Sequence, residues 1–266
     1  MVVVNKLKPF SNRSTIKSLK MNKLLIVLCL FASSSLMAQF DFQKAVDKGK
    51  EKLGSLTNGA GLSNEDIGKG LKEALNKGVN AGVDKLGAVD GYFKSELYKI
   101  LIPEDMRNVV SKLKMVPGFG NIENELMEKM NKGAEKAVTK ATPIFTKAIT
   151  SLTFQDALNI LMGEKNAATQ YLNKTTNQEL YKEFNPIIAS SLSEVGATKY
   201  WSDCVNAYNN LPFVKKANPD LNDYVTKEAL KGLFGMVAEK ELEIRNDPRV
   251  RNTEMLRKVF AKQDKK

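Results

Sequence analysis

The regular spacing of apolar residues constrains this chain more than any other feature of its sequence. An apolar side chain recurs every three or four positions at Ile67, Leu71, Leu75, Val79, Val83 and Leu86. This spacing matches the 3.6-residue turn of an α-helix, so it predicts one amphipathic helix with a single buried face. Ser63 and Asp66 form a capping-box pattern at its start, and Gly87 is a typical helix end.

Further helix signals follow along most of the remaining sequence. A second stripe predicts a long helix from near Asn121, and Pro143 must kink or end it. Its members are Ile122, Leu126, Met130, Ala134, Val138 and Ala141. Thr153–Asp156 and Thr176–Glu179 are two more capping-box patterns, the first opening a short helix that stops at Gly163. The sequence Asn218, Pro219, Asp220 predicts a cap and a first turn for the last long helix.

Alternating strand patterns are almost absent from the sequence. We therefore predict an all-α fold, a single bundle-like domain of roughly eight to ten helices over residues 62–261. Asp90–Tyr92 is expected to be a turn, and Ile100–Pro103 a short extended link before a helix near Glu104. The small residues Gly133, Ala134, Ala137 and Ala141 would let a neighbouring helix approach the second stripe closely.

The N-terminal residues have the pattern of a secretory signal. Residues 21–38 contain a basic start, a short apolar run from Leu24 to Phe31 and a small residue, Ala38, where cleavage is expected. The run is too short to span a bilayer. Residues 1–20 are an upstream-start extension or a lengthened basic region. We expect residues 39–61 to be a flexible linker and residues 262–266 a basic tail, in a protein of the periplasm or cell envelope.

The net charge of +11 does not indicate nucleic-acid binding. Residues 1–38 hold six basic residues and no acid, which leaves 35 basic against 30 acidic residues in the rest of the chain. That excess is small and dispersed along the predicted helices, so it forms no basic patch. The sequence also lacks a phosphate-binding loop or a dinucleotide-binding glycine motif.

The absence of histidine narrows the chemistry that is open to this chain. Without histidine there is no Ser-His-Asp or Cys-His nucleophile, no His-ligated zinc and no imidazole proton shuttle. Cys29 lies in the signal, so the mature chain keeps one cysteine, Cys204, which we expect to be a buried small apolar residue. We predict no cofactor, no metal site and no disulfide.

Five polar residues are the candidates for a functional cluster: Asn131, Glu135, Asp156, Glu241 and Arg245. Asp156 is better explained as the third helical residue of its capping box. Glu241 and Arg245 are one helical turn apart and are expected to form an exposed pair. If they are buried instead, Arg245 could orient an anionic ligand with two hydrogen bonds. A buried network of Asn131, Glu135 and Arg245 would clasp the two long helices together.

The order of these segments resembles a bacterial exported family known as domain of unknown function 4197. The resemblance rests on Gly70–Leu75, Asp90–Tyr92, Ile100–Pro103, Met130–Glu135, Asp156–Gly163, Ala167–Tyr171, and Glu241 to Arg245 with Pro248 and Arg251. These segments cover nearly all of residues 62–261. The resemblance implies an exported helical domain and supplies no activity. Relatives are often lipid-anchored, but this chain does not fit that pattern, because Leu28 and not a small residue precedes Cys29.

Three hypotheses for function follow from the sequence. We favour a non-enzymatic structural or interaction module whose partner is an envelope protein. The second is a carrier of a lipid or another apolar ligand, motivated by the small-residue seam and the ten methionines. The third is an enzyme with a carboxylate–arginine site at Glu135, Asp156, Glu241 and Arg245, which requires these four residues to converge.

Overall fold

A computed structural model describes residues 63–104, 107, 110, 111, 114, 120–194, 196–210, 212, 213, 216, 218, 220–261 and 264. Over these residues the chain is helical and has no strand, which confirms the predicted all-α class. The α-helices are α1 (Asn64–Gly87), α2 (Ile122–Val138), α3 (Ala141–Thr150), α4 (Phe154–Met162), α5 (Ala167–Ser193), α6 (Ala197–Asn209), α7 (Leu221–Asn246) and α8 (Glu254–Phe260). A single 3₁₀ turn, Pro248–Val250, joins α7 to α8. The total of roughly eight to ten helices stays a prediction, and the predicted signal and linker lie outside the described residues.

Helix α1 begins and ends where the sequence predicts. The Ser63 side chain accepts a hydrogen bond from the Asp66 N–H, and the Asp66 side chain accepts one from the Ser63 N–H, so the capping box is complete. The six residues of the first apolar stripe are all buried. The periodic side chains therefore form one face against the core.

The helix predicted from near Asn121 is interrupted before Pro143, not by it. Helix α2 ends at Val138, and α3 starts at Ala141. Pro143 lies in the first turn of α3, where a missing backbone N–H removes no helical hydrogen bond. The break at Thr139 and Lys140 leaves the apolar stripe continuous across two helices, which is why the sequence pattern resembled one.

Two predicted helix starts are wrong. Thr176 does not cap a helix, because it lies inside the 27-residue helix α5 and donates its hydroxyl to the Leu172 carbonyl at 2.6 Å. Helix α7 is capped by Asp220, whose side chain accepts from the Asp223 N–H at 3.0 Å, and not by Asn218. Short polar side chains (Ser, Thr, Asn and Asp) hydrogen-bond to nearby backbone inside helices and turns as well as at helix starts. Their positions in the sequence therefore predicted two helix starts at the wrong residues.

The long helices pack against one another around a common core. Helix α5 lies against both α2 and α7, and α1 packs on α7, α3, α4 and α8. The rings of Phe145 and Phe234 meet edge to face at 5.8 Å between centroids. All described residues belong to one compact unit, Leu56–Lys266. Within this part of the chain, none of the helices combines the length and the apolar character that crossing a bilayer requires.

Candidate functional site

Asn131 and Glu135 both bind the backbone of the segment that follows α1, residues 88–103, called here the α1–α2 connection. The Asn131 side chain accepts from the Ile100 N–H at 2.8 Å and donates to the Ile100 carbonyl at 2.9 Å. One oxygen of Glu135 accepts from the N–H groups of Tyr92 and Phe93, each at 3.1 Å. Both side chains are buried. They satisfy backbone groups that have no helix or sheet to pair with.

Two glycines of α7 bring the same connection close to the helix. A Cβ atom on Gly232 would stand 2.8 Å from the ring of Tyr92, and one on Gly235 would stand 2.6 Å from the ring of Tyr98. The Tyr92 hydroxyl donates to the Ala229 carbonyl at 2.7 Å, and the Tyr98 hydroxyl donates to Glu239 at 2.7 Å. Only glycine leaves room for both rings on the surface of α7.

Glu241 caps the N-terminus of helix α5. One of its oxygens accepts from the Ala168 N–H at 3.0 Å, and the other accepts from the N–H and hydroxyl of Thr169 at 2.9 and 2.8 Å. The N–H groups of a first helical turn have no partner within the helix, and the local dipole favours a negative charge there. A carboxylate from α7 thus supplies the cap that α5 lacks in its own sequence, since Asn166 makes no capping bond.

Arg245 links Glu241 to the C-terminus of helix α4. Its guanidinium donates to one Glu241 oxygen at 3.0 and 2.8 Å, to the Ile160 carbonyl at 2.8 Å and to the Leu161 carbonyl at 3.2 Å. A positive charge is favourable at this end of a helix. One ion pair therefore joins the end of α4 to the start of α5 across α7.

The predicted exposure of the Glu241–Arg245 pair is wrong. Both side chains are only 7% exposed, because α4 and α5 cover that face of α7. The alternative of an anionic ligand on a buried Arg245 finds no support either, since the guanidinium already binds Glu241 and two carbonyls. The i, i+4 spacing predicted the pair, but burial depends on which helices lie above it.

Arg251 is a fourth buried charged residue, after Glu135, Glu241 and Arg245, and the sequence points to it only through the family resemblance. Its guanidinium donates to the carbonyls of Ile244 and Arg245, each at 2.7 Å, and to Asp264 at 2.7 Å. It also lies over the ring of Phe260. These carbonyls end α7, so Arg251 caps that helix as Arg245 caps α4. In the sequence, Pro248 indicates that the chain turns after α7. Such a turn brings the Arg251 side chain back to the end of that helix.

The remaining candidate, Asp156, belongs to the predicted capping box of α4. Its carboxylate accepts from the Thr153 N–H at 3.0 Å and from the Thr153 hydroxyl at 2.6 Å. None of its hydrogen bonds involves the other four candidates. The hydrogen bonds of the five residues thus fall into three groups, and among these five only Glu241 and Arg245 bond to each other. The predicted network of Asn131, Glu135 and Arg245 does not form, because the first two bind the α1–α2 connection.

The small-residue seam is filled by another helix. A Cβ atom on Gly133 would meet Ser191 Cβ at 3.3 Å and Ile188 Cα at 3.5 Å, so α2 and α5 approach closely there. Ala134, Ala137 and Ala141 are fully buried. A cavity of about 20 Å³ is lined by Glu241 and Arg245 together with apolar residues of α1, α5, α7 and α8. That volume suits one water molecule and not a lipid chain.

The buried polar groups of the described residues are all satisfied. No buried side-chain nitrogen or oxygen in this part of the chain lacks a hydrogen-bond partner, and no three acidic or cysteine residues there are grouped to hold a metal ion. The side chain of Cys204 lies outside what the structure describes. Burial raises the pKa of the Tyr92 hydroxyl, and the nearby Glu135 charge raises it further. Burial and the bond to Glu239 likewise raise the pKa of Tyr98.

Comparison with known proteins assigns a family and no activity. Searches of curated proteins and of solved structures found no match. The model of one family, described as "Protein of unknown function (DUF4197)", matches residues 61–261, which includes every helix described above. The predicted resemblance is confirmed, and the chain belongs to the DUF4197 family.

Proposed function

We propose that this protein is an exported, non-enzymatic interaction module of the cell envelope. One observation carries the proposal: each buried polar candidate makes hydrogen bonds that hold a helix end or the α1–α2 connection. These bonds satisfy buried backbone groups, which is a structural role. The buried polar side chains therefore stabilise the fold, and we place the function on the outer surface.

Export is supported by the pattern of residues 21–38, with a basic start, a short apolar run and Ala38 at the expected cleavage point. The predicted partner is therefore another envelope component and not a nucleic acid or a nucleotide.

A carrier function has weaker support. The seam that motivated it is packed by α5, and the cavity beside Glu241 holds about 20 Å³. An apolar ligand of useful size needs an enclosed space on the order of 300–1,000 Å³.

The test combines localisation with crosslinking in intact cells. The chain is expressed with a C-terminal tag, the cells are fractionated, and a short amine-reactive crosslinker is applied before lysis. We expect a processed product outside the cytoplasm and a discrete, reproducible adduct with one envelope protein. Retention of the unprocessed chain in the cytoplasm, or the absence of any adduct across crosslinker lengths, would contradict the proposal.

A further inference from the structure

An open groove lies on the outer face of α7, beside the turn that joins α4 to α5. It has a volume of about 500 Å³ and is lined by Glu164, Lys165, Asn166, Gly235, Ala238, Glu239 and Leu242. Leu242 is 40% exposed, and Met162, at the start of the turn, is 37% exposed. Leu242 lines the groove together with Gly235 and Ala238, so part of the groove surface is an apolar strip of α7.

The groove wall formed by residues 162–167 is held in place from below. Arg245 binds the carbonyls of Ile160 and Leu161 just before this turn, and Glu241 binds the N–H groups of Ala168 and Thr169 just after it. Both ends of the turn are therefore fixed to α7 by one buried ion pair. A surface ordered in advance loses little conformational entropy on binding.

The floor of the groove is fixed from the other side. The ring of Tyr98 lies against Gly235, and its hydroxyl holds one oxygen of Glu239 at 2.7 Å. The second Glu239 oxygen makes no bond to a described residue. The Glu239 carboxylate is therefore held in one orientation, and its second oxygen can accept a hydrogen bond from a bound molecule.

The charges at the groove indicate the chemistry of its occupant. Among the described residues, Glu164, Glu239 and Lys165 form no ion pair, so two carboxylates stand against one ammonium group. Lys240 and Glu243 nearby are already paired with each other at 2.8 Å. In a partner, a basic side chain would complement the unpaired carboxylates of Glu164 and Glu239, and an adjacent apolar side chain would complement Ala238 and Leu242.

We infer that this groove binds a peptide segment of a partner protein, through one large apolar side chain flanked by lysine or arginine. The inference rests on the proposed interaction function and names its surface. The apolar side chain packs on Ala238 and Leu242, while the basic side chain pairs with Glu164 or Glu239. The buried Glu241–Arg245 pair acts as a positioning device for the groove wall.

The experiment measures fluorescence anisotropy of three labelled twelve-residue peptides with the purified full chain. The first carries leucines flanked by lysines, the second replaces the lysines with glutamates, and the third replaces the leucines with serines. We expect the first to bind at least about tenfold more tightly than either of the others, which corresponds to ~1.4 kcal/mol.

Variants then locate the binding surface. Ala238→Phe fills the groove and is expected to reduce binding of the first peptide by about tenfold or more. Glu164→Lys, on an exposed turn that tolerates substitution, is expected to weaken it about threefold to tenfold. Val89→Phe is the matched control, because Val89 is 89% exposed at the start of the α1–α2 connection and does not line the groove. Circular dichroism checks that each variant is folded.

Three results would overturn the inference: no binding of the first peptide, equal binding of the glutamate peptide, or binding unchanged by both Ala238→Phe and Glu164→Lys. Self-association of the chain that Ala238→Phe abolishes would also overturn it, since the occupant would then be a second copy. If the envelope adduct persists in Ala238→Phe cells, the interaction function stands and this groove is excluded as its surface.

Discussion

Asn131 pairs with both backbone groups of Ile100, accepting from its N–H and donating to its carbonyl, as a neighbouring β-strand would. Ile100 is buried and belongs to no helix or sheet. The Asn131 side chain therefore makes the two backbone hydrogen bonds that a neighbouring strand would otherwise make. The same amide also donates to the Met127 carbonyl at 2.7 Å. At Ile100 the α1–α2 connection is therefore held by a side chain of α2.

Replacing Asn131 with alanine should destabilise the protein by about 2–3 kcal/mol. The substitution leaves the buried Ile100 N–H and carbonyl without partners, and each unsatisfied group costs about 1–3 kcal/mol. Urea unfolding followed by circular dichroism measures the change. Asn124→Ala on the same helix is the control, because Asn124 bonds only to the exposed Asn121. Equal losses for the two variants would show that the pairing with Ile100 contributes nothing.

Alanine substitutions at two helical glycines should change stability in opposite directions. Gly68→Ala in α1 is expected to stabilise by about 0.5–1 kcal/mol, because nothing lies within 4 Å of the added methyl group and alanine favours the helix. Gly232→Ala in α7 should instead destabilise by about 1–3 kcal/mol, since its methyl group would overlap the buried Tyr92 ring. Thermal and urea unfolding measure both. A stabilised Gly232→Ala would mean that the ring does not lie on α7.

Stability should fall at alkaline pH, and Tyr92 should account for part of the fall. The folded state raises the pKa of Tyr92 above the ordinary 10.0 through burial. The neutral hydroxyl is thus favoured in the fold, its stabilisation is complete below pH 10, and it is lost as pH rises beyond that value. Tyr92→Phe should lower the slope of unfolding free energy against pH by about 1.4 kcal/mol per unit above pH 10. Parallel curves for the two proteins from pH 7 to pH 11 would refute this role.

Local patterns predicted much of the fold. The α1 stripe, the capping boxes at Ser63 and Thr153 and the stop at Gly163 all depend on residues within one helical turn of each other. Interactions at that range are encoded by spacing, so a reading of the sequence can recover them. The break between α2 and α3 was missed, because an apolar stripe can continue on one face across two helices.

The role of the polar cluster could not be read from spacing. Glu241 and Arg245 were paired correctly by their separation, yet their burial depends on α4 and α5, far away in the sequence. The partners of Asn131 and Glu135 are backbone groups of Ile100, Tyr92 and Phe93, which carry no side-chain signature. Backbone partners across 30 to 85 positions lie outside any local pattern.

The buried charges serve the fold, and the Glu241→Gln variant tests this role most directly. Catalytic groups are often held at a cost in stability, so replacing one tends to leave a protein equally or more stable. A structural clasp behaves in the opposite way, because removing one charge leaves its buried partner uncompensated.

The measurement is the free energy of unfolding of Glu241→Gln relative to the wild type. Glu243→Gln serves as the control, because Glu243 pairs with Lys240 on the exposed side of the same helix. We expect a loss of about 3–5 kcal/mol for Glu241→Gln and less than about 0.5 kcal/mol for Glu243→Gln. An unchanged or increased stability of Glu241→Gln would contradict the structural role of the pair and return it to consideration as a site of chemistry.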